Sequence, residues 1–152
     1  MLRMSKLTDY GTMVLAQLAA KAGGLSTAGQ VAEATHLAPP TVSKLLKSLA
    51  HAGLVVSTRG AQGGYALARP ADDISAAEII DALEGPVAIT ECSSTAGGCD
   101  LESFCRVGMA WQRINLSIRT ALESVTLADL QRSREPLPPP DLRAGLGSAA
   151  AR

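Results

Sequence analysis

Residues 39–65 read PPTVSKLLKSLAHAGLVVSTRGAQGGY, and this stretch decides the fold. Val42, Leu45, Leu46 and Leu49 recur at helical spacing and share one face. Pro39 and Pro40 suit a first helical turn, whose N–H groups have no partner within the helix. Gly53 suits the residue just past the last turn, where positive φ is needed. A helix is therefore predicted over residues 40–52. Residues 54–58, short, apolar and β-branched, predict a strand, with residues 65–68 as its antiparallel partner. Between them lies Arg59-Gly60-Ala61-Gln62-Gly63-Gly64, a glycine-rich hairpin loop.

Working outward, Thr27 with Gln30 has capping-box spacing and opens a short helix over residues 28–34. Before it, Met13, Val14, Leu15, Leu18 and Ala19 form a broad apolar face on a helix over residues 7–22, stopped by Gly23-Gly24. Downstream, Ser75 and Glu78 make a second capping box, and Ile74 and Ile79 stand where a hydrophobic staple would lie. That helix ends at Gly85-Pro86. In residues 107–125, Val107, Trp111, Ile114, Ile118, Ala121 and Val125 are separated by alternating steps of four and three, an a/d seam suited to a partner helix. Thr126 and Asp129 suggest one last helical turn.

Two short helices with a tight connection, then a β-hairpin, give the element order of a winged helix-turn-helix. The expected fold is mainly α: three helices plus a hairpin wing, with a long C-terminal dimerisation helix. Four segments are expected. Residues 1–86 are the DNA-binding module, 87–106 a cysteine-bearing loop and 107–131 the dimerisation helix with its last turn. Residues 132–152, rich in Pro, Gly, Ala and Arg, read as a disordered tail.

The 152 residues carry 14 Lys+Arg and 14 Asp+Glu, a formal net charge of zero. That total hides unlike blocks. Residues 34–71 hold Lys44, Lys47, Arg59 and Arg69 and no acid, whereas residues 72–102 hold eight acids and no base. Such asymmetry bears on partners, and the acid-free block coincides with the predicted reading helix and wing. Thr41, Ser43, Lys44, Lys47 and Ser48 lie off the apolar face of that helix, the hydroxyls suited to base edges and the lysines to phosphates. Arg59 and Gln62 sit in the wing, where an arginine can enter a minor groove. Double-stranded DNA is the expected partner. The glycine-rich loop leads into a strand and lacks a Gly-Lys-Ser/Thr ending, so it does not match a nucleotide-phosphate loop. No nucleophile–base pair, carboxylate dyad or metal-hydrolase spacing marks an enzyme. No apolar run approaches the ~18–20 residues of a membrane span. No apolar stretch with a cleavage site follows the charged N-terminus, so a cytoplasmic location is expected.

Three cysteines, an odd number, do not suit a closed disulfide scaffold. Cys92, Cys99 and Cys105 follow a C-x6-C-x5-C pattern, whose spacers include the small or polar Ser93, Ser94, Thr95, Ala96, Gly97, Gly98 and Asp100. Thiolates in such a loop suit an iron–sulfur cluster. A zinc site is a poorer match without a C-x2-C knuckle, and a thiol redox switch or inert cysteines stay open. The spacing does not fix a fourth ligand. Glu91, Asp100 and Glu102 lie close in sequence, while Asp9 would reach only through the fold or across a dimer. His36 and His51 read as surface or packing histidines.

Several of these residues resemble the IscR and NsrR family of bacterial iron–sulfur transcription regulators. They are Leu7-Thr8-Asp9-Tyr10-Gly11, the wing Arg59-Gly60-x-x-Gly63-Gly64-Tyr65, and three cysteines ahead of a long helix. Pro40-Thr41-Val42-Ser43-Lys44, Thr90-Glu91-Cys92, Cys99-Asp100-Leu101-Glu102-Ser103, Trp111-Gln112-Arg113-Ile114-Asn115 and Thr126-Leu127-Ala128-Asp129-Leu130 are similar to regulators of the SUF iron–sulfur assembly operon. The resemblance implies a homodimeric repressor of iron–sulfur assembly genes, with a 2Fe–2S or 4Fe–4S cluster on Cys92, Cys99 and Cys105. IscR-like members place a histidine ligand three residues after the last cysteine, where this sequence has Gly108. NsrR-like members use an N-terminal aspartate of the partner subunit, and Asp9 matches that position. The six-residue first spacer also differs from the commoner five. Other readings are a nitric-oxide sensor of the same family, an iron–sulfur or thiol redox protein without DNA function, and a module that binds a metabolic enzyme.

Overall fold

The computed structural model describes residues 4–21, 23–93 and 105–132. Helices α1 (Lys6–Ala20), α2 (Ala28–Thr35) and α3 (Pro39–His51) lead into strands β1 (Val55–Thr58) and β2 (Gly64–Leu67). Helices α4 (Ala76–Glu84), α5 (Gly108–Glu123) and α6 (Leu127–Arg132) follow. Helix ends depart from the spacing-based ones by one or two residues, as frayed ends do. Single 3-10 turns at Ala71–Asp73 and Glu91–Ser93 are too short to show any periodicity in sequence. The expected tail, beyond Arg132, lies outside the described residues.

Local signals set the helix starts. At α2, the Thr27 side chain accepts from the Gln30 N–H, and the Gln30 side chain accepts from the Thr27 N–H at 3.0 Å. Ser75 and Glu78 do the same at α4, with Ser75 N–H to Glu78 Oε2 at 2.9 Å. Thr126 and Asp129 repeat the arrangement at α6. A side-chain cap of this kind contributes about 1 kcal/mol. Gly53 takes φ +76° just past α3, as the sequence requires.

One core joins α1, α2, α3, the hairpin, α4 and α6. Val14, Leu15 and Leu18 of α1 meet Val31 of α2, Val42, Leu45, Leu46 and Leu49 of α3, and Leu54 and Val55 of the hairpin. Ile74 and Ile79, the expected staple pair, are both buried in it. Leu127 of α6 is fully buried in the same cluster. It is brought there by an isolated antiparallel bridge between Ser75 and Thr126: Ala76 N–H donates to Val125 O, and Leu127 N–H to Ile74 O, each at 2.8 Å. Met13 departs from expectation. It is 43 % exposed, because α1 turns Thr8, Gly11, Val14, Leu15 and Leu18 inward instead.

The hairpin pairs Val55 with Leu67 and Thr58 with Gly64. Its second strand also bridges Ser26, with Ser26 N–H to Tyr65 O at 2.9 Å and Tyr65 N–H to Ser26 O at 2.8 Å. A Cβ at position 64 would lie 2.8 Å from Ser26 O, so Gly64 permits this close approach. The wing is thereby tied to the start of α2.

A clasp joins the first turn of α1 to the end of α4. The Glu84 carboxylate accepts from the Thr8 hydroxyl and, at 2.9 Å each, from the Ser5 N–H and hydroxyl. The Thr8 bond first, then those from Ser5, outweigh slight desolvation and hold the Glu84 carboxyl below its ordinary value.

Helix α5 lies against α4. Ile118, Ala121 and Val125, the C-terminal half of the expected seam, are half-buried within the chain. Trp111 and Ile114, in the N-terminal half, stay 41 % and 45 % exposed. Only Gly108 and Asn115 of α5 are buried. Among the described residues, no helix is long and apolar enough to cross a membrane.

Candidate nucleic-acid interface and cysteine segment

The turn between α2 and α3 rests on His36, whose φ of +56° is left-handed. That conformation is uncommon outside glycine, though histidine is enriched in it. Leu37, next in the turn, packs on the core. The chain therefore leaves α2 at a set angle, and His36 and His51 themselves are exposed.

Burial of Val42, Leu45, Leu46 and Leu49 fixes which side of α3 faces water. Lys44 and Lys47 are exposed there, and Thr41, Ser43 and Ser48 are half-buried. Arg59 and Gln62 are exposed on the hairpin loop. Among the described residues, Lys44, Lys47 and Arg59 have no ion-pair partner. Arg69, the fourth base of the acid-free block, is different: its Nη2 lies 2.5 Å from Glu78 Oε1. Burial pushes the Glu78 carboxyl up, but bonds from the Ser75 N–H, Arg69 and the Ser75 hydroxyl hold it below its ordinary value. Three bases, not four, are thus free to meet an anion. Proline at the first two positions of α3 removes two N–H donors from its N-terminus.

Of the predicted cluster ligands, Cys99 and the side chain of Cys92 lie outside the described residues, as do Asp100 and Glu102. The Cys92 main chain lies in the Glu91–Ser93 turn. Cys105 is half-buried with a free thiol. A Cβ at position 108 would stand 3.7 Å from Cys105 Sγ. The position three residues after the last cysteine therefore faces the thiol, and as glycine it offers space but no donor. Asp9 is exposed on α1. It borders a groove of about 610 Å³, lined mainly by apolar side chains including Met4, Met13, Ile80 and Leu122. Among the described residues, no group of three or more His, Cys, Asp or Glu is assembled to hold a metal ion.

One residue outside the predicted set organises this region. Asn115 is 9 % exposed on α5. Its Oδ1 accepts from the Ile89 N–H at 3.3 Å, and its Nδ2 donates to Val87 O at 3.1 Å and Ser93 O at 3.4 Å. The signal in sequence was faint: a single amide one position past a seam residue.

A helix pair joined by a tight turn, with a wing whose tip carries an unpaired arginine, defines a winged-helix DNA-binding protein. The Rrf2 family model, iron-dependent transcriptional regulators, matches residues 4–133. The chain belongs to that family, and so to DNA-binding transcriptional regulators rather than enzymes. Solved structures agree. CymR, the global cysteine regulator of B. subtilis, is 32 % identical, with a TM-score of 0.69 over 89 % of this chain and 100 % of that one. T. potens IscR is 36 % identical, with a TM-score of 0.65 over 88 % of this chain and 89 % of its own. Staphylococcus aureus CymR is 33 % identical, with a TM-score of 0.61 over 87 % of this chain and 100 % of its own.

Proposed function

We propose that the protein is a homodimeric repressor of iron–sulfur cluster assembly genes, gated by an iron–sulfur cluster held by Cys92, Cys99 and Cys105. The observation that carries this reading is where the cysteines fall. All three lie within residues 92–105, the segment joining α4 of the reading module to α5. The donor chemistry fits: three cysteines within fourteen residues, with Cys105 free and half-buried beside a bare glycine backbone. A bound cluster supplies a redox- and nitric-oxide-sensitive link among these thiolates. Gly108 gives no imidazole, and the resemblance to NsrR-like members, whose N-terminal aspartate Asp9 matches, makes the partner subunit's Asp9 the proposed fourth ligand. The target genes follow from the resemblance to SUF regulators.

In the DNA complex, Thr41 and Ser43 approach base edges from the start of α3, while Lys44 and Lys47 neutralise phosphates. Arg59 and Gln62 enter the flanking minor groove. The seam side chains left exposed at the start of α5, Val107, Trp111 and Ile114, are the surface a second copy covers. Two reading helices then match two half-sites, so a small change in their separation alters affinity.

Protein purified without oxygen should be brown, with visible absorbance that Cys92→Ala abolishes. A colourless protein holding zinc, or a Cys92→Ala variant with full absorbance, would sink the cluster reading.

A further inference from the structure

We propose that Asn115 is a positioning residue that couples the cysteine segment to the setting of α5 against α4, and through it to DNA affinity. The proposal rests on the cluster-gated reading above and names the part of the chain that carries its signal.

The main chain of Val87 is held from two helices at once. Its N–H donates to Asp81 Oδ1 of α4 at 3.3 Å, and its carbonyl accepts from Asn115 Nδ2 of α5 at 3.1 Å. The same amide takes the Ile89 N–H and reaches Ser93 O. Asp81 also receives Arg119, one turn along α5 from Asn115, with Nη2 at 2.9 Å from Oδ2. One polar network thus joins α4, residues 87–93 and α5. The turn at its end is closed by Thr90 N–H to Ser93 Oγ and Ser93 N–H to Thr90 O, both at 3.0 Å. Cys92 belongs to that turn.

Apolar contacts let two elements slide at small cost; a buried amide does not. Shifting residues 87–93 away from Asn115 leaves its donors and acceptor unpaired in a site sheltered from water, which is expensive. When the bonding of Cys92 changes and its turn moves, α5 moves with it. Asp81 and Arg119 set that motion against α4, the last helix of the reading module. The network thereby ties residues 87–93, α4 and α5 into one polar unit.

The test uses the full-length protein, prepared without oxygen, on DNA from its own upstream region. Visible absorbance per subunit and dissociation constants are measured before and after iron is removed with a chelator. Wild type is expected to change affinity by about tenfold or more, within the range usual for coupled sites. Asn115→Ala should keep the absorbance while that ratio falls to about threefold or less. An unchanged ratio in Asn115→Ala, with only a lower Tm, would show a packing residue and overturn the proposal. So would a ratio lost in step with absorbance, which would make Asn115 merely a support for cluster binding. If Asn115→Ala does not fold, Asp81→Asn decides by the same criterion, since it keeps an acceptor for Val87 but loses the charge pair with Arg119. A wild type with full absorbance and equal affinities leaves the bound cluster standing but overturns the gating, and the coupling with it; an unchanged ratio in Asn115→Ala overturns the coupling alone. A wild type without absorbance overturns the cluster reading, and the coupling with it.

Discussion

Alanine at Lys44, Lys47 and Arg59 together is expected to lower DNA affinity by about two to three orders of magnitude near physiological salt. The three side chains project from the reading helix and wing without ion-pair partners among the described residues. Each cation placed on a phosphate or in the minor groove releases condensed counterions, so roughly six such cations in a dimer give a slope near −5 in log affinity against log salt. The variant should lose most of that slope, becoming weak and nearly salt-independent. Anisotropy titrations at several salt concentrations check both quantities. Arg69→Ala is the control: its guanidinium is already committed to Glu78, so affinity and slope should stay close to wild type. An unchanged slope in the triple variant would move the DNA-contacting face elsewhere.

Leu127→Ala is expected to cost about 2–5 kcal/mol, the range for truncating a buried leucine where the cavity only partly collapses. That is a large share of the ~5–15 kcal/mol by which a domain is stable. Leu127 is fully buried in the core cluster, on a helix that packs against α1 and the Ala71–Asp73 turn. The loss should appear as a lower urea midpoint with an unchanged m-value. A loss under about 0.5 kcal/mol, ordinary for a surface site, would show that α6 does not belong to the core.

The contrast between these residues explains what the sequence could show. The capping pairs Thr27–Gln30 and Ser75–Glu78, the apolar face of α3 and the turn at Gly53 are written within a few residues, and each was legible. The burial of Leu127, the bridge from Ser26 to Tyr65 and the grip of Asn115 on Val87 join parts of the chain far apart in sequence, and no local pattern carries them. Arg69 belongs to a block that looks uniformly basic, yet its partner Glu78 belongs to the acidic block and folds back onto it. Met13 lies in an apolar run too broad to divide until α3 and α4 choose the side of α1 they cover. At the cysteines, spacing supplies the thiols but not the remaining ligand. The structure adds that position 108 faces Cys105 and holds no donor.

The central claim is that the state of the cysteine segment sets DNA affinity. Footprinting without oxygen on the protein's own upstream DNA, with iron-loaded and iron-stripped protein side by side, tests it most directly. The account predicts a footprint with loaded protein that weakens by about tenfold or more on stripping. Identical footprints and affinities in the two states would contradict it.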